Sequence, residues 1–275
     1  MSLHREQLLG VAHAERQRLG RMIQYAESGT WDLPSAARGW WNRDVLAHLA
    51  ASDTACAQLM AGEPAVELDE FRASADGVFD VDAFNAGTVD RRSGAEIREL
   101  IETWGKAAEA FIAYAALLPD EDWAAARFPW LAGDIAARYL VQSRIVEWFL
   151  HGEDMRASNG LGPQYQHWPV HLTIDLGVRM LPWALSQGGY ELEGRTVLVE
   201  VEGAGQGAWH WGLGSGEVPA GSKKPDATLR GRAPQLALVA GRRLTADDVR
   251  GSGAVVLGGD RELARVVLQQ IRAYP

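Results

Sequence analysis

Apolar side chains recur every three or four positions along most of the first half of the chain. This spacing predicts helices, because residues three and four positions apart share one helix face. Four such stretches are present, at residues 3–29, 42–60, 94–118 and 135–155. Four long helices joined by shorter links indicate a four-helix bundle.

Polar residues at helix starts refine these boundaries. Asn42 is expected to cap the second helix, and Asp134 the fourth. Ser93 and Glu96 have the spacing of a capping box for the third helix. Residues 63–87 are polar with little periodicity, which predicts a long loop or a broken helix that could shape a substrate pocket.

The pattern changes near residue 160, where Gly, Asn and Pro cluster. Beyond this point, residues 168–187 predict one helix, kinked or begun by Pro182. Further strands and helices are expected at 195–202, 208–213, 226–230, 234–241, 254–257 and 261–271. The chain is therefore expected to be an α+β protein of two domains, with a four-helix bundle at residues 1–160 and a small α+β domain at residues 161–275.

Composition excludes several classes of function. The chain has 275 residues, above the usual single-domain range, and its formal net charge of -9 argues against binding the phosphates of nucleic acids. No apolar run of about 18 residues is present, so no membrane span is expected, and the N-terminus lacks a signal-peptide core. The single cysteine, Cys56, rules out an intramolecular disulfide and predicts a buried packing thiol in a cytoplasmic protein. Arginine far outnumbers lysine, which suggests a high-GC, actinobacterial source.

The segment RIVEWFLHGEDMR carries the candidate chemistry. Glu147 and His151 lie four residues apart in an apolar helical run, so their side chains leave the same helix face about one turn apart. Burying an unpaired carboxylate costs several kcal/mol or more, so Glu147 needs a proton, a cationic partner or a metal.

His48, on the apolar face of the second predicted helix, is the candidate third ligand. A lone histidine on such a face is more often a hydrogen-bonded core residue, and Glu147 could instead pair with Arg144 or Arg43. Two histidines and a glutamate in core positions, however, match His₂Glu catalytic sites, in which three protein ligands leave one coordination position open.

Two segments, WNRDVLAHLA and RIVEWFLHGEDMR, resemble the DinB-like metalloenzymes, and in particular the mycothiol-dependent maleylpyruvate isomerase family. The resemblance covers most of the chain, both halves in the same order. Its signatures are a tryptophan before a helical histidine, and an Arg, Glu, His and Asp in order on the last bundle helix. The matching residues are Trp41 and His48, then Arg144, Glu147, His151 and Asp154. The resemblance implies a DinB-like four-helix bundle followed by a small sterol-carrier-like α+β domain.

The same resemblance implies that His48, Glu147 and His151 bind a divalent metal, usually zinc. Asp154 is a candidate for orienting His151, or else a surface carboxylate. Family members also hold an acidic substrate with arginines. Arg242 matches the family's Gly-Arg position, with Arg243 next to it, and Arg91 or Arg92 could supply a second guanidinium; ordinary surface arginines are the alternative.

The resemblance further implies a mycothiol-dependent isomerase that acts on a small acidic molecule. In the family's chemistry a metal-bound thiolate adds to a conjugated double bond, the bond rotates, and elimination releases the trans isomer. A mycothiol S-transferase on the same site is an alternative. A metal-assisted hydrolase is another, with Asp154 or Asp53 as base. The non-enzyme alternative is a protein that binds a small apolar ligand in its C-terminal half.

Overall fold

A computed structural model gives the structure of the protein and describes residues 3–74, 80–130, 133–214, 216–218 and 224–274. The chain forms two compact units, Met1–Pro163 and Gln164–Pro275. The assignment of residues 1–160 and 161–275 to two separate domains stays a prediction. None of the described helices is both long and apolar enough to cross a membrane.

Four long helices build the first unit and confirm the predicted bundle. They are α1 (Arg5–Gln24), α2 (Asn42–Ala61), α5 (Ile97–Leu117) and α7 (Ala137–Ser158). Shorter elements join them: a 3-10 helix (Ser28–Asp32), α3 (Val66–Ser74), α4 (Val81–Asp90), α6 (Asp120–Ala125), and the strands β1 (Arg127–Trp130) and β2 (Gly133–Ala136). Helix α2 packs mainly against α5, and α1 against α7. Side chains from every face of α7 are buried, which identifies it as a core helix.

Local contacts move several of the expected boundaries. Trp41, rather than Asn42, occupies the capping position of α2, and its backbone N–H donates to the Asp44 carboxylate at 2.8 Å. The Asn42 amide instead donates to the Thr30 carbonyl at 2.9 Å. Helix α7 begins two residues later than expected because residues 133–136 pair with β1 as an antiparallel hairpin. The polar stretch 63–87 contains α3 and part of α4, and its residues 75–79 lie outside the described residues.

The second unit is an α+β fold around a mixed sheet. Its strands are β3 (Thr196–Glu202), β4 (Gly207–Gly212), β5 (Gly216–Glu217), β6 (Ala227–Arg232) and β7 (Val255–Gly259), in the order β5-β4-β3-β6-β7. Only the β3–β6 pair is parallel among the described strands. The helices are α8 (His167–Arg179), α9 (Leu181–Gln187), α10 (Ala233–Ala240), α11 (Ala246–Gly251) and α12 (Arg261–Gln270). The single helix expected at 168–187 is thus two helices, with Pro182 in the first turn of the second, where proline is tolerated.

Candidate metal centre

The bundle brings the three predicted ligands together from two helices. His48 lies on α2, and Glu147 and His151 lie one turn apart on α7. The Glu147 Oε2 atom is 3.0 Å from His48 Nε2 and 3.2 Å from His151 Nε2. One ligand atom from each residue lies within 4.8 Å of the other two. This is the only such group of three or more His, Cys, Asp or Glu side chains in the described parts of the chain.

Burial shapes the electrostatics of this group. Burial lowers the pKa of His48 below its ordinary value, against the opposing effect of its hydrogen bond to Glu147. For Glu147, burial acts to raise the pKa, but the hydrogen bonds to His151 and His48 outweigh it and hold that pKa well below its ordinary value. A neutral imidazole and an ionised carboxylate are the protonation states that a metal requires of its ligands.

Asp154 orients the ring of His151. Its Oδ2 atom lies 3.0 Å from His151 Nδ1, and only 2% of Asp154 is exposed, so it is not a surface carboxylate. An ionised carboxylate can only accept a hydrogen bond, so Nδ1 donates its proton to Asp154, and the ring is held with Nε2 towards Glu147. His48 differs, because its buried Nδ1 has no hydrogen-bond partner among the described residues.

Trp40, the residue before Trp41, lies against the two histidines. The Trp40 ring centroid is 5.0 Å from that of His48 and 6.1 Å from that of His151, stacked on the latter. Trp41 is 50% exposed. The sequence pattern does not separate adjacent tryptophans, since only the turn before α2 decides which ring points inward.

A buried ion pair that the sequence pattern missed links the two helices that carry the candidate ligands. Arg144 Nε on α7 donates to Asp53 Oδ1 on α2 at 2.6 Å, and Trp148 Nε1 donates to Asp53 Oδ2 at 2.8 Å. Neither alternative partner considered for Glu147 forms an ion pair with it in the described structure: Arg144 pairs with Asp53, and Arg43 donates to the Ser93 carbonyl at 3.1 Å. The signal available in the sequence was Asp53 itself, a carboxylate in the apolar middle of α2.

The surroundings of Cys56, Asp53 and Asp154 show a structural role for each of these side chains. Cys56 is buried, and burial strongly raises the pKa of its thiol, as expected for a packing residue. Asp53 is engaged by Arg144 and Asp154 by His151. Both candidate bases for the hydrolase alternative therefore hold other groups in place.

The predicted substrate arginines belong to different units of the chain. Arg91 ends α4 on the surface and pairs with Glu70 at 3.0 Å, and Arg92 pairs with Glu67 at 2.7 Å. Arg242 belongs to the second unit, just after α10. Their roles in holding a substrate stay predictions.

Comparisons with known proteins agree with this architecture. Residues 12–156 match the family model described as "Mycothiol maleylpyruvate isomerase N-terminal domain". The crystal structure of the mycothiol-dependent maleylpyruvate isomerase and that of its histidine-to-alanine mutant each cover 93% of this chain and 93% of their own. Their TM-scores are 0.60 and 0.61 at 16% and 15% identity, which shows a shared fold. No curated protein matches the sequence. Since the family model spans more than half of the chain, the protein belongs to the family that carries the mycothiol maleylpyruvate isomerase N-terminal domain.

Proposed function

We propose that this protein is a metal-dependent isomerase that uses mycothiol to convert a small cis-unsaturated acid into its trans isomer. The observation that carries the proposal is the buried group of His48, Glu147 and His151, whose ligand atoms lie within 4.8 Å in a chain of this family. The single buried cysteine is consistent with a nucleophilic thiol that comes from outside the protein.

The donor set suits a divalent metal, and zinc in particular. Two imidazole nitrogens and one carboxylate oxygen form the three-ligand set of catalytic zinc sites, which keep a fourth position open. Bound there, zinc would deprotonate a coordinated thiol at neutral pH.

The protein's own residues prepare this group. Asp154 holds the His151 ring with its Nε2 atom towards Glu147. The Arg144–Asp53 pair joins α7 to α2 near the ligands and so restrains the position of His48 relative to Glu147. Any displacement between the two helices would separate the ligand atoms, because His48 reaches the group from α2 alone.

We further propose that Arg242 and Arg91 bind the carboxylate of the acidic substrate. A guanidinium binds both oxygens of a carboxylate, orients the substrate and stabilises negative charge that develops in conjugation with the carbonyl. A cytoplasmic location is also part of the proposal.

Metal analysis of purified protein tests the centre first. We expect about one zinc per chain, and loss of that metal in His48→Ala. The exposed His13→Ala variant is the matched control and should keep it. Protein without stoichiometric metal, or an unchanged metal content in His48→Ala, would refute the metal centre.

Activity then tests the chemistry. The zinc-loaded protein is incubated with maleylpyruvate, with and without mycothiol, and the product is identified by chromatography. A thiol-dependent trans isomer is the expected result. A stable thiol adduct would instead identify an S-transferase, and thiol-independent cleavage a hydrolase, and either outcome would overturn the isomerase assignment.

A further inference from the structure

The two candidate histidine ligands are held in different ways. His151 donates from Nδ1 to the Asp154 carboxylate at 3.0 Å, and this hydrogen bond sets the direction of its ring. The corresponding Nδ1 atom of His48 is buried and has no hydrogen-bond partner among the described residues. The one side-chain hydrogen bond of His48 in the described structure joins Nε2 to Glu147, and Nε2 is the atom that a metal would take. With a metal bound, hydrogen bonds to protein groups therefore leave the His48 ring unrestrained.

Packing restrains the His48 ring instead. The χ2 torsion of histidine is broad, so the ring turns unless its neighbours prevent it. The Trp40 ring centroid lies 5.0 Å from that of His48, with the two planes inclined by 49°. The His151 ring approaches His48 at 5.2 Å in an edge contact. Trp40 also stacks on His151 at 6.1 Å, so one indole contacts both histidines without being a ligand itself.

The backbone before α2 holds Trp40 in place. The Trp40 N–H donates to the Ala37 carbonyl at 3.1 Å, and the Trp40 carbonyl accepts from the Ser35 N–H at 2.8 Å. The Asn42 N–H donates to the Leu33 carbonyl at 3.0 Å and closes this loop at its base. Because both backbone polar groups of Trp40 are bonded, its indole is presented to the histidines from a fixed point at the start of α2.

We propose that Trp40 is a positioning residue of the candidate metal centre, whose indole restrains the ring of His48 and so directs Nε2 towards the other ligand atoms. The Trp40 contact does for His48 what the Asp154 hydrogen bond does for His151. This inference rests on the proposed metal centre. It adds a residue that controls the only ligand supplied by α2.

Cobalt binding to the full chain tests the role of Trp40, because Co²⁺ can replace zinc and its visible absorption depends on its ligands. Tetrahedral cobalt absorbs more intensely than cobalt surrounded by additional water ligands, so a centre that loses His48 has weaker bands. Trp40→Leu keeps an apolar side chain but removes the ring. We expect it to bind cobalt roughly tenfold more weakly than the parent protein, with weaker bands. Trp40→Phe keeps an aromatic ring and should nearly restore both the affinity and the spectrum.

Trp41→Leu is the matched control, because it removes the neighbouring indole, which is 50% exposed. It should bind cobalt as the parent protein does. Urea unfolding of the metal-free variants separates positioning from stability. If Trp40 served the fold alone, Trp40→Leu would unfold more easily but would keep the affinity and spectrum of the parent, and that result would overturn the proposal. Equal losses of affinity in Trp40→Phe and Trp40→Leu would also overturn it, because the ring would then have no part.

Two outcomes distinguish this inference from the proposed function. A parent protein that binds no stoichiometric cobalt would refute the metal centre, and the role of Trp40 with it. Cobalt binding by the parent that is unchanged in Trp40→Leu would overturn the role of Trp40 alone. If circular dichroism shows that Trp40→Leu is unfolded, Trp40→Met replaces it, and unchanged cobalt binding in that variant would likewise overturn the proposal.

Discussion

Replacing Arg144 with methionine is expected to destabilise the first unit by about 4 kcal/mol at pH 7. Arg144 is 2% exposed and Asp53 fully buried, and their side chains are 2.6 Å apart. Methionine fills the space of the aliphatic stem but leaves the Asp53 carboxylate without a cation. Burial already acts to raise the pKa of Asp53, and Arg144 opposes that rise. Without Arg144, Asp53 must take up a proton to remain buried.

The free energy of protonating Asp53 sets the size of the expected destabilisation. Protonating a carboxyl group of ordinary pKa near 3.9 costs about 1.4 kcal/mol for each pH unit above that value, or about 4 kcal/mol at pH 7 and about 2 kcal/mol at pH 5.5. The native state of the variant then binds one proton more than the unfolded chain. Its stability should therefore fall, relative to the parent, as pH rises through this range.

Urea unfolding of both proteins at pH 5.5, 6.2 and 7 measures this difference. Arg98→Met is the control, because Arg98 forms an exposed pair with Glu102, and the cost there should be below about 0.5 kcal/mol. A difference of less than about 1 kcal/mol for Arg144→Met at pH 7, or one that does not change with pH, would refute the reasoning that the pair is charged and essential to burial of Asp53.

Three further changes probe other parts of the molecule. Asp154→Asn removes the acceptor that orients His151 and should weaken zinc binding roughly 10- to 100-fold in competition with a chelator. Gly205→Ala places a methyl group into Val170 at a φ of 95°, and should cost about 3 kcal/mol in urea unfolding. Burial lowers the pKa of His171, so the unfolded chain binds more protons, and stability should fall as pH drops through about 6.5. His171→Gln should remove that part of the pH dependence.

Matched control variants separate these effects from nonspecific destabilisation of the protein. Gly251→Ala adds a methyl group where nothing lies within 4 Å and should leave stability nearly unchanged. His13→Gln alters an exposed histidine and should keep the pH dependence of the parent protein. Zinc binding by Asp154→Asn equal to that of the parent would show that the contact with His151 does not prepare a ligand.

Apolar residues at helical spacing, together with the residues that cap and end helices, predicted the bundle, although α7 is buried on every face. The sequence predicted the helix boundaries less well, because the residue that caps a helix depends on tertiary contacts. Asparagine favours the capping position of a helix. The side-chain amide of Asn42, however, donates to the Thr30 carbonyl, and Trp41 takes the capping position. The hairpin of β1 and β2 was missed because two strands of four residues carry too short a pattern.

The one-turn spacing of Glu147 and His151 was determined by the sequence itself, because the geometry of a single helix places residues four apart on one face. Their meeting with His48, and the identity of Trp40 as the ring beside them, were decided by tertiary structure. The same holds for the Asp53–Arg144 pair. Periodicity encodes which face of a helix is buried, but it does not encode which residue of another segment lies opposite. That partner is set by helix packing and backbone turns, which bring together groups far apart in the chain.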